Sequence, residues 1–394
     1  MTAPVSLAAD AGERPGWIAQ SDPDLSEGDL AAVEAVLRGS VLGSGPWVER
    51  LEAAFAAYAG RAYAVAVSSG TMGLYLALLA KGIGPGDEVI LPAHGFRETG
   101  HAVMLAGAVP VFADIDYWAG TIAPDKAEAR ITAKTRAIIG ANANGHPAAW
   151  PQLRALAEAH GLWLVEDSTE AIGSRHKEGP VGSFGDVALF DFAQPGVICC
   201  GGGGMVVTDD VDMAMAIRRR RSRKASERHS LSVTMDAPFD AGMDDISAAL
   251  ALSQLQRIDL MLERRRGTQM LYDHFMQSFE GIKPPYIAPE VEEVHWFLYV
   301  VHLGTRFTRS ARDQIIEDLR TEEIDVAAYS APLHLQAAYR ALGWKKKDLF
   351  VTEKVADRAV ALPFHPHLSE EQIAFAVARM KESSINIGAG TPIY

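Results

Sequence analysis

Cysteine is almost absent from this chain: two in 394 residues, Cys199 and Cys200, side by side. Adjacent cysteines rarely meet disulfide geometry and supply no metal-ligand spacing, so neither a disulfide scaffold nor a zinc module is expected, and the pair reads as free thiols. No apolar run reaches the ~18 residues of a membrane helix. The first residues, MTAPVSLAADAGERPG, lack the basic start and the apolar core of a signal peptide. Residues 1–16 read as a disordered tail, and the protein as cytoplasmic. Positive charge is also scarce. The 37 Lys and Arg against 50 Asp and Glu leave a net charge of −13, which argues against nucleic-acid and membrane partners and leaves a small-molecule substrate. The one basic run, RRRRSRK at 218–224, falls at the end of a predicted helix, where cations offset the macrodipole. No internal repeat or low-complexity segment is visible.

What is present is a globular composition, 48% hydrophobic, enough for one large domain and a smaller one. Ser26 and Asp29 form an S-x-x-D cap before an apolar-periodic helix that Gly39 stops, and a second helix at 47–58 ends at Gly60. From residue 60 to 210, short apolar runs at 63–67, 88–92, 109–116, 137–141, 162–166, 187–192 and 205–208 alternate with helical stretches such as 72–79 and 151–160. That alternation predicts an α/β fold with a mostly parallel, doubly wound sheet, whose ligands bind beyond the carboxyl ends of the strands. The predicted division is a large α/β domain at 17–245, then a long amphipathic helix at 246–265 leading into a small α+β domain at 246–394.

Chemistry-bearing residues gather at those strand ends. Ser68, Ser69, Gly70 and Thr71 sit between a strand and a helix, where free backbone N–H groups and the helix dipole suit an anion. Glu166 and Asp167 close another strand in the stretch EDSTEAIGS. The segment 181–210, VGSFGDVALFDFAQPGVICCGGGGMVVTDD, places an irregular loop and four glycines between two buried strands. A glycine run of this kind admits a ligand or a second chain where no Cβ would fit. A flexible turn is the alternative.

Together these motifs resemble the DegT/StrS family of sugar aminotransferases, of the fold-type I pyridoxal-phosphate class, over roughly residues 17–382. SSGT at 68–71 matches the family's phosphate-binding turn, so the resemblance implies that Gly70 and Thr71 touch a cofactor phosphate. Phe96 takes the place of the ring that covers the pyridine, with His94 beside it; a core aromatic is the alternative for Phe96. Asp167 takes the place of the aspartate that pairs with the pyridinium nitrogen, and Glu170 stands for the usual glutamine. YSAPLHLQ near the C-terminus matches Y-x-PLH-x-Q, which implies that Tyr329 and His334 face the substrate; a histidine packed at a domain interface is the alternative for His334. The resemblance also implies a homodimer with the pocket at its interface.

The departures carry as much weight as the matches. Aligned on the glycines, the Schiff-base lysine of FSFxxxKxxxxGEGG falls on Gly196, the phosphate-binding serine on Asp191, and the asparagine that reaches across the dimer on Asp240. Glycine supplies neither an aldehyde carrier nor a base, so ordinary lysine-dependent transamination is not expected. Two negative charges ~4 Å apart repel by roughly 4 kcal/mol at an effective dielectric near 20, against the ~0.3 to 2 kcal/mol that a helix N-terminus returns. The leading expectation is therefore an enzyme with no cofactor and no metal, acting on a polar or amine-bearing metabolite through Asp167, Glu170, Asp191, His94 and His334, with Asp240, Gly196 and Tyr329 on the substrate. Two alternatives stay open: noncovalent pyridoxal or pyridoxamine phosphate on a keto-sugar, and a silent partner of an active paralogue.

Overall fold

The computed structural model describes residues 16–222, 239–277, 279 and 281–389; the tail up to residue 15 and the end of the basic run lie outside them. In chain order the first elements are α1 (Glu27–Leu37), α2 (Pro46–Ala59), β1 (Tyr63–Val67), α3 (Gly70–Ala80), β2 (Glu88–Pro92) and α4 (Arg97–Leu105). Next come β3 (Val109–Ala113), α5 (Pro124–Glu128), β4 (Thr135–Ala141), α6 (Trp150–His160) and β5 (Trp163–Asp167). The short strands β6 (Arg175–His176) and β7 (Gly179–Pro180) precede β8 (Val187–Asp191), β9 (Gly204–Thr208), α7 (Val211–Arg221), α8 (Asp245–Gln256) and α9 (Ile258–Met276). The last part holds β10 (Ile282–Lys283), β11 (Val291–Glu293), β12 (Tyr299–Leu303), α10 (Arg309–Thr321) and β13 (Ala327–Ala328). It closes with α11 (Ala337–Arg340), α12 (Phe350–Ala356), β14 (Ala359–Leu362) and α13 (Glu370–Ala389).

The central sheet has seven strands in the order β1-β9-β8-β5-β4-β2-β3. All neighbours are parallel except those of β9, which runs antiparallel to both β1 and β8. The predicted mostly parallel sheet is therefore the observed one. Its strands read as continuous apolar runs because both faces are covered. On one face Val65, Val67, Leu189 and Val206 pack with α3, α4 and α7. On the other Ala64, Ala66, Phe190 and Val207 pack with Phe55 of α2 and Leu252 of α8. Burial of this kind supplies about 25 cal/mol per Å² of apolar surface, the main stabilising term.

The capping signals act as read. Ser26 and Asp29 form a reciprocal capping box on α1, and Gly60 ends α2 with φ near +64°. The basic end of α7 is structural: Arg218 and Arg221 grip Glu52 and the carbonyls of Ala64 and Ala66. The predicted helix at 246–265 differs, being two helices broken at Arg257. Arg257 leaves helical geometry with its guanidinium held by the carboxylate and carbonyl of Asp24 and by Asp29. After β2 the chain enters α4 at Arg97, with Phe96 at its N-cap.

The C-terminal part forms a four-stranded sheet, β10-β12-β14-β13, over its own apolar cluster. Contacts cross the predicted boundary. Strand β11 pairs with β6, and Ile18 bridges to Ile324 and packs within the C-terminal cluster. No helix among the described residues is long and apolar enough to cross a membrane.

Candidate active site

The site forms where β1, β5 and β8 end and β9 begins. Gly204 opens β9 opposite both Val67 and Asp191, so the glycine run enters the sheet between the two motifs. A Cβ on Gly204 would lie 2.6 Å from the Gly70 nitrogen, and one on Gly203, at φ near +128°, would strike Met243. The run is thus a close-packing device at this edge.

Asp191 reaches from the end of β8 to the N-terminus of α3. One carboxylate oxygen accepts the Gly70 N–H at 2.7 Å and the other the Ala193 N–H at 2.8 Å. Ser69 caps the same helix by accepting from Met72 N–H. The anion-binding N–H of the SSGT turn is therefore already engaged by a carboxylate of the chain itself. Burial nevertheless holds Asp191 above the usual carboxylate range, and the neighbouring charges of Asp167 and Glu98 add to the rise.

Asp167 ends β5 fully enclosed. It accepts the Thr99 hydroxyl at 2.7 Å and the Thr169 N–H at 3.2 Å, and burial raises its pKa. No described side chain supplies it a cation. Glu170, three residues on, accepts two short hydrogen bonds, 2.6 Å from Asn144 N–H and 2.6 Å from the Tyr329 hydroxyl. Burial still lifts its pKa to about 7, because two donors do not replace the water lost. The Tyr329 phenol is pushed well above its ordinary value by burial and by Glu170. The charge of Asp167 raises both Glu170 and Asp191, which makes the three carboxylates one electrostatic cluster centred on Asp167.

His94 lies beside this cluster, its ring edge-on to Tyr329 at 5.3 Å. Nδ1 faces the Gly120 carbonyl at 3.0 Å, while Nε2 is buried without a partner among the described residues. Burial lowers the His94 pKa to about 4, so the ring is neutral near pH 7. A carbonyl only accepts, which puts the proton on Nδ1 and leaves Nε2 as a bare acceptor. Phe96 is half-buried at the N-cap of α4. Thr71 is half-buried in the first turn of α3.

Other candidates lie elsewhere. The His334 ring is buried against Glu353, Nε2 to Oε1 at 3.2 Å, and meets Trp344 edge-on. That placement matches the packed-histidine alternative, since Glu353 and not the carboxylate cluster is its partner. Asp240 is exposed, on the segment whose next residue, Ala241, accepts the Ser68 N–H at 2.8 Å. Gly196 sits in a tight loop where a Cβ would lie 2.9 Å from the Ala193 carbonyl oxygen and 3.1 Å from that of Ile198. Cys199 and Cys200 are buried, burial raises both thiols, and Cys200 is pushed up to about 12. Both therefore stay protonated near neutral pH, unlike an activated thiolate. No group of three or more metal-ligating side chains occurs among the described residues.

Sequence reasoning missed Thr99 and Asn144. Thr99 lies three residues past Phe96, but only the fold aims its hydroxyl at Asp167. Asn144 has φ near +52°, and its side-chain oxygen accepts Leu298 N–H at 2.9 Å, tying the site to the C-terminal sheet. The signal was the NANG turn at 142–145, since asparagine and glycine tolerate such backbone.

A sequence model of the DegT/DnrJ/EryC1/StrS aminotransferase family matches residues 23–381. The spore coat polysaccharide biosynthesis protein SpsC of Bacillus subtilis is 32% identical over 381 residues, covering 94% of this chain and 98% of its own. Among solved structures, S. venezuelae DesV in complex with a ketimine intermediate superposes with a TM-score of 0.83 at 33% identity, covering 90% of this chain and 94% of its own. The Spr1654 protein of Streptococcus pneumoniae, solved in PMP and PLP forms, superposes with TM-scores of 0.86 and 0.87 at 26% identity. In both, 94% of this chain is covered, against 100% and 99% of the matched chain.

These matches overturn the expectation of no cofactor, because the structures that the chain resembles carry pyridoxamine and pyridoxal phosphate. One charge at the phosphate end does not decide for the whole group. The ring end fits such a cofactor: Asp167 is a buried carboxylate whose raised pKa reflects an unanswered need for a cationic partner. The phosphate end fits when Asp191 is protonated. Its carboxyl then repels nothing and can donate a hydrogen bond, as a serine would.

Proposed function

Because the chain belongs to the DegT/DnrJ/EryC1/StrS aminotransferase family, we propose that it is a sugar-processing biosynthetic enzyme that holds pyridoxamine or pyridoxal phosphate by contacts alone. Its substrate in this reading is a keto-sugar, and Glu170 is the proton-exchanging group. The observation that carries the reading is the pair of buried carboxylates three residues apart: Asp167, fit to face a pyridinium, and Glu170, poised near neutral pH by burial.

When bound, the cofactor supplies the amine and the electron sink. Asp167, steadied by Thr99, holds the ring end. At the phosphate end Thr71 and the N-terminus of α3 would hold the group, with Asp191 protonated and releasing the Gly70 N–H that it now accepts. Between Lys177 and Lys224 the sequence has no lysine, so the proton that a lysine would carry needs another holder. Glu170 suits that role, because with a pKa of about 7 it is near half-protonated at neutral pH, and Tyr329 stabilises its charged form through a 2.6 Å hydrogen bond.

The test is incubation with pyridoxamine phosphate and nucleotide-linked keto-hexoses, with products read by mass spectrometry. The expected result is an amino- or deoxy-sugar, with a rate that falls as pH drops below about 7 and Glu170 takes up its proton. Glu170→Gln should keep cofactor affinity and lower the rate about 10²-fold or more. Cofactor binding without turnover of any keto-hexose would favour a silent partner subunit instead.

A further inference from the structure

Beside Glu170 lies a small cavity of about 30 Å³, walled by His94, Tyr117, Trp118, Tyr286, Trp296 and Tyr329. It has room for one water-sized group. Tyr329 and Asn144 border both this cavity and Glu170, so a group placed here is next to the carboxylate cluster. At its mouth Trp118 and Tyr286 are exposed, with ring centroids 6.0 Å apart. The Trp118 turn is fixed by Asp116, which accepts the Trp118 and Ala119 N–H groups at 2.9 and 2.8 Å. Two exposed aromatics held this way form a platform for the apolar face of a ring.

The second observation is inside. His94 is 4% exposed, yet its Nε2 has no partner among the described residues. With the proton fixed on Nδ1 by Gly120, that nitrogen can only accept. A buried acceptor left bare is costly, and it is answered by an O–H or N–H in the cavity, from a water that a substrate substituent can displace.

Resting on the reading that this enzyme processes a sugar, we infer that the cavity is a substrate subsite for one hydroxyl or amine substituent. His94 Nε2 accepts from that substituent, and Trp118 and Tyr286 cover the face of the sugar ring. His94 and Trp118 are then specificity-determining residues, distinct from the cofactor contacts.

The probes are methyl glucoside, methyl glucosaminide and the monodeoxy glucosides, titrated into the full-length protein and followed by saturation-transfer NMR. One deoxy position should weaken binding about 3- to 10-fold in the wild type, and that loss should vanish in His94→Leu. Trp118→Ala, at the exposed mouth, should weaken every glycoside alike and leaves the core intact, so it decides the matter where His94→Leu does not fold. Tighter binding of the glucosaminide would identify the substituent as an amine, and equal or weaker binding as a hydroxyl. Three outcomes would overturn the subsite: no glycoside binding at tens of millimolar, deoxy losses unchanged in His94→Leu, or unchanged affinity in Trp118→Ala. Cofactor titration reads Asp167 and Asp191 only, so it can succeed while this subsite fails.

Discussion

Glu170 is the residue on which both a stability prediction and the proposed chemistry turn. Its folded pKa of about 7 lies above the ordinary 4.5, so the folded state binds this proton more tightly than the unfolded one. The resulting stability is complete below pH 4.5 and is lost as pH rises to about 7. At 1.36 kcal/mol per unit, the loss is of order 3 kcal/mol. Glu170→Gln should remove that dependence, so wild type minus variant stability, from urea unfolding at about pH 4.5 and 7.5, should drop by a few kcal/mol. An equal difference at both pH values would mean that Glu170 is not held protonated. Asp191 gives a second prediction. Asp191→Ser should tighten pyridoxamine phosphate near pH 8 by up to about 10³-fold, the equivalent of removing a repulsion of about 4 kcal/mol. The gap should close at acid pH, where Asp191 is itself neutral. Equal affinities at alkaline pH would place the phosphate away from this residue. The sequence offered Asp167, Glu170 and Asp191 as candidates by their place at strand ends; their raised pKa values were not legible there, because burial is a property of the fold. Thr99 and Asn144 escaped for the same reason.

Among the elements, the loop from β8 to β9 is the most constrained. The carbonyls of Ala193 and Ile198 stand where a side chain at 196 would begin, so Gly196→Lys should fail to restore a covalent lysine and should cost about 1 to 3 kcal/mol of stability. A folded, cofactor-linked Gly196→Lys would show instead that the loop is pliable. The α8–α9 break offers a second test. Arg257 joins Asp24 and Asp29, and Asp29 is almost wholly buried. Arg257→Ala should cost about 3 kcal/mol by stranding that charge, measured by thermal or urea unfolding. Strands and caps were legible because period, Gly stops and the Ser26 box are local. The break at Arg257 was not, since no Gly or Pro marks it and its cause lies more than 200 residues away in sequence. The contacts of His334 with Glu353 and Trp344 were hidden although both lie within 19 residues of it, because the irregular turns between them carry no periodic signal.

At the scale of the whole molecule, the sheet order and the family resemblance agree, because both rest on strand–helix alternation and motifs at strand ends. The cofactor expectation did not survive, since charge counting at one end of a site ignores protonation and the other end. Noncovalent binding of the cofactor is the proposal on which the rest of the chemistry depends. Titration of the purified protein with pyridoxamine and pyridoxal phosphate, followed by absorbance and then by borohydride reduction and peptide mapping by mass spectrometry, addresses it without a substrate. The expected result is saturable binding with a Kd near the micromolar range, and no reduced adduct on any peptide of the site. A borohydride-fixed adduct on a lysine of the site, or no binding at millimolar cofactor, would contradict it.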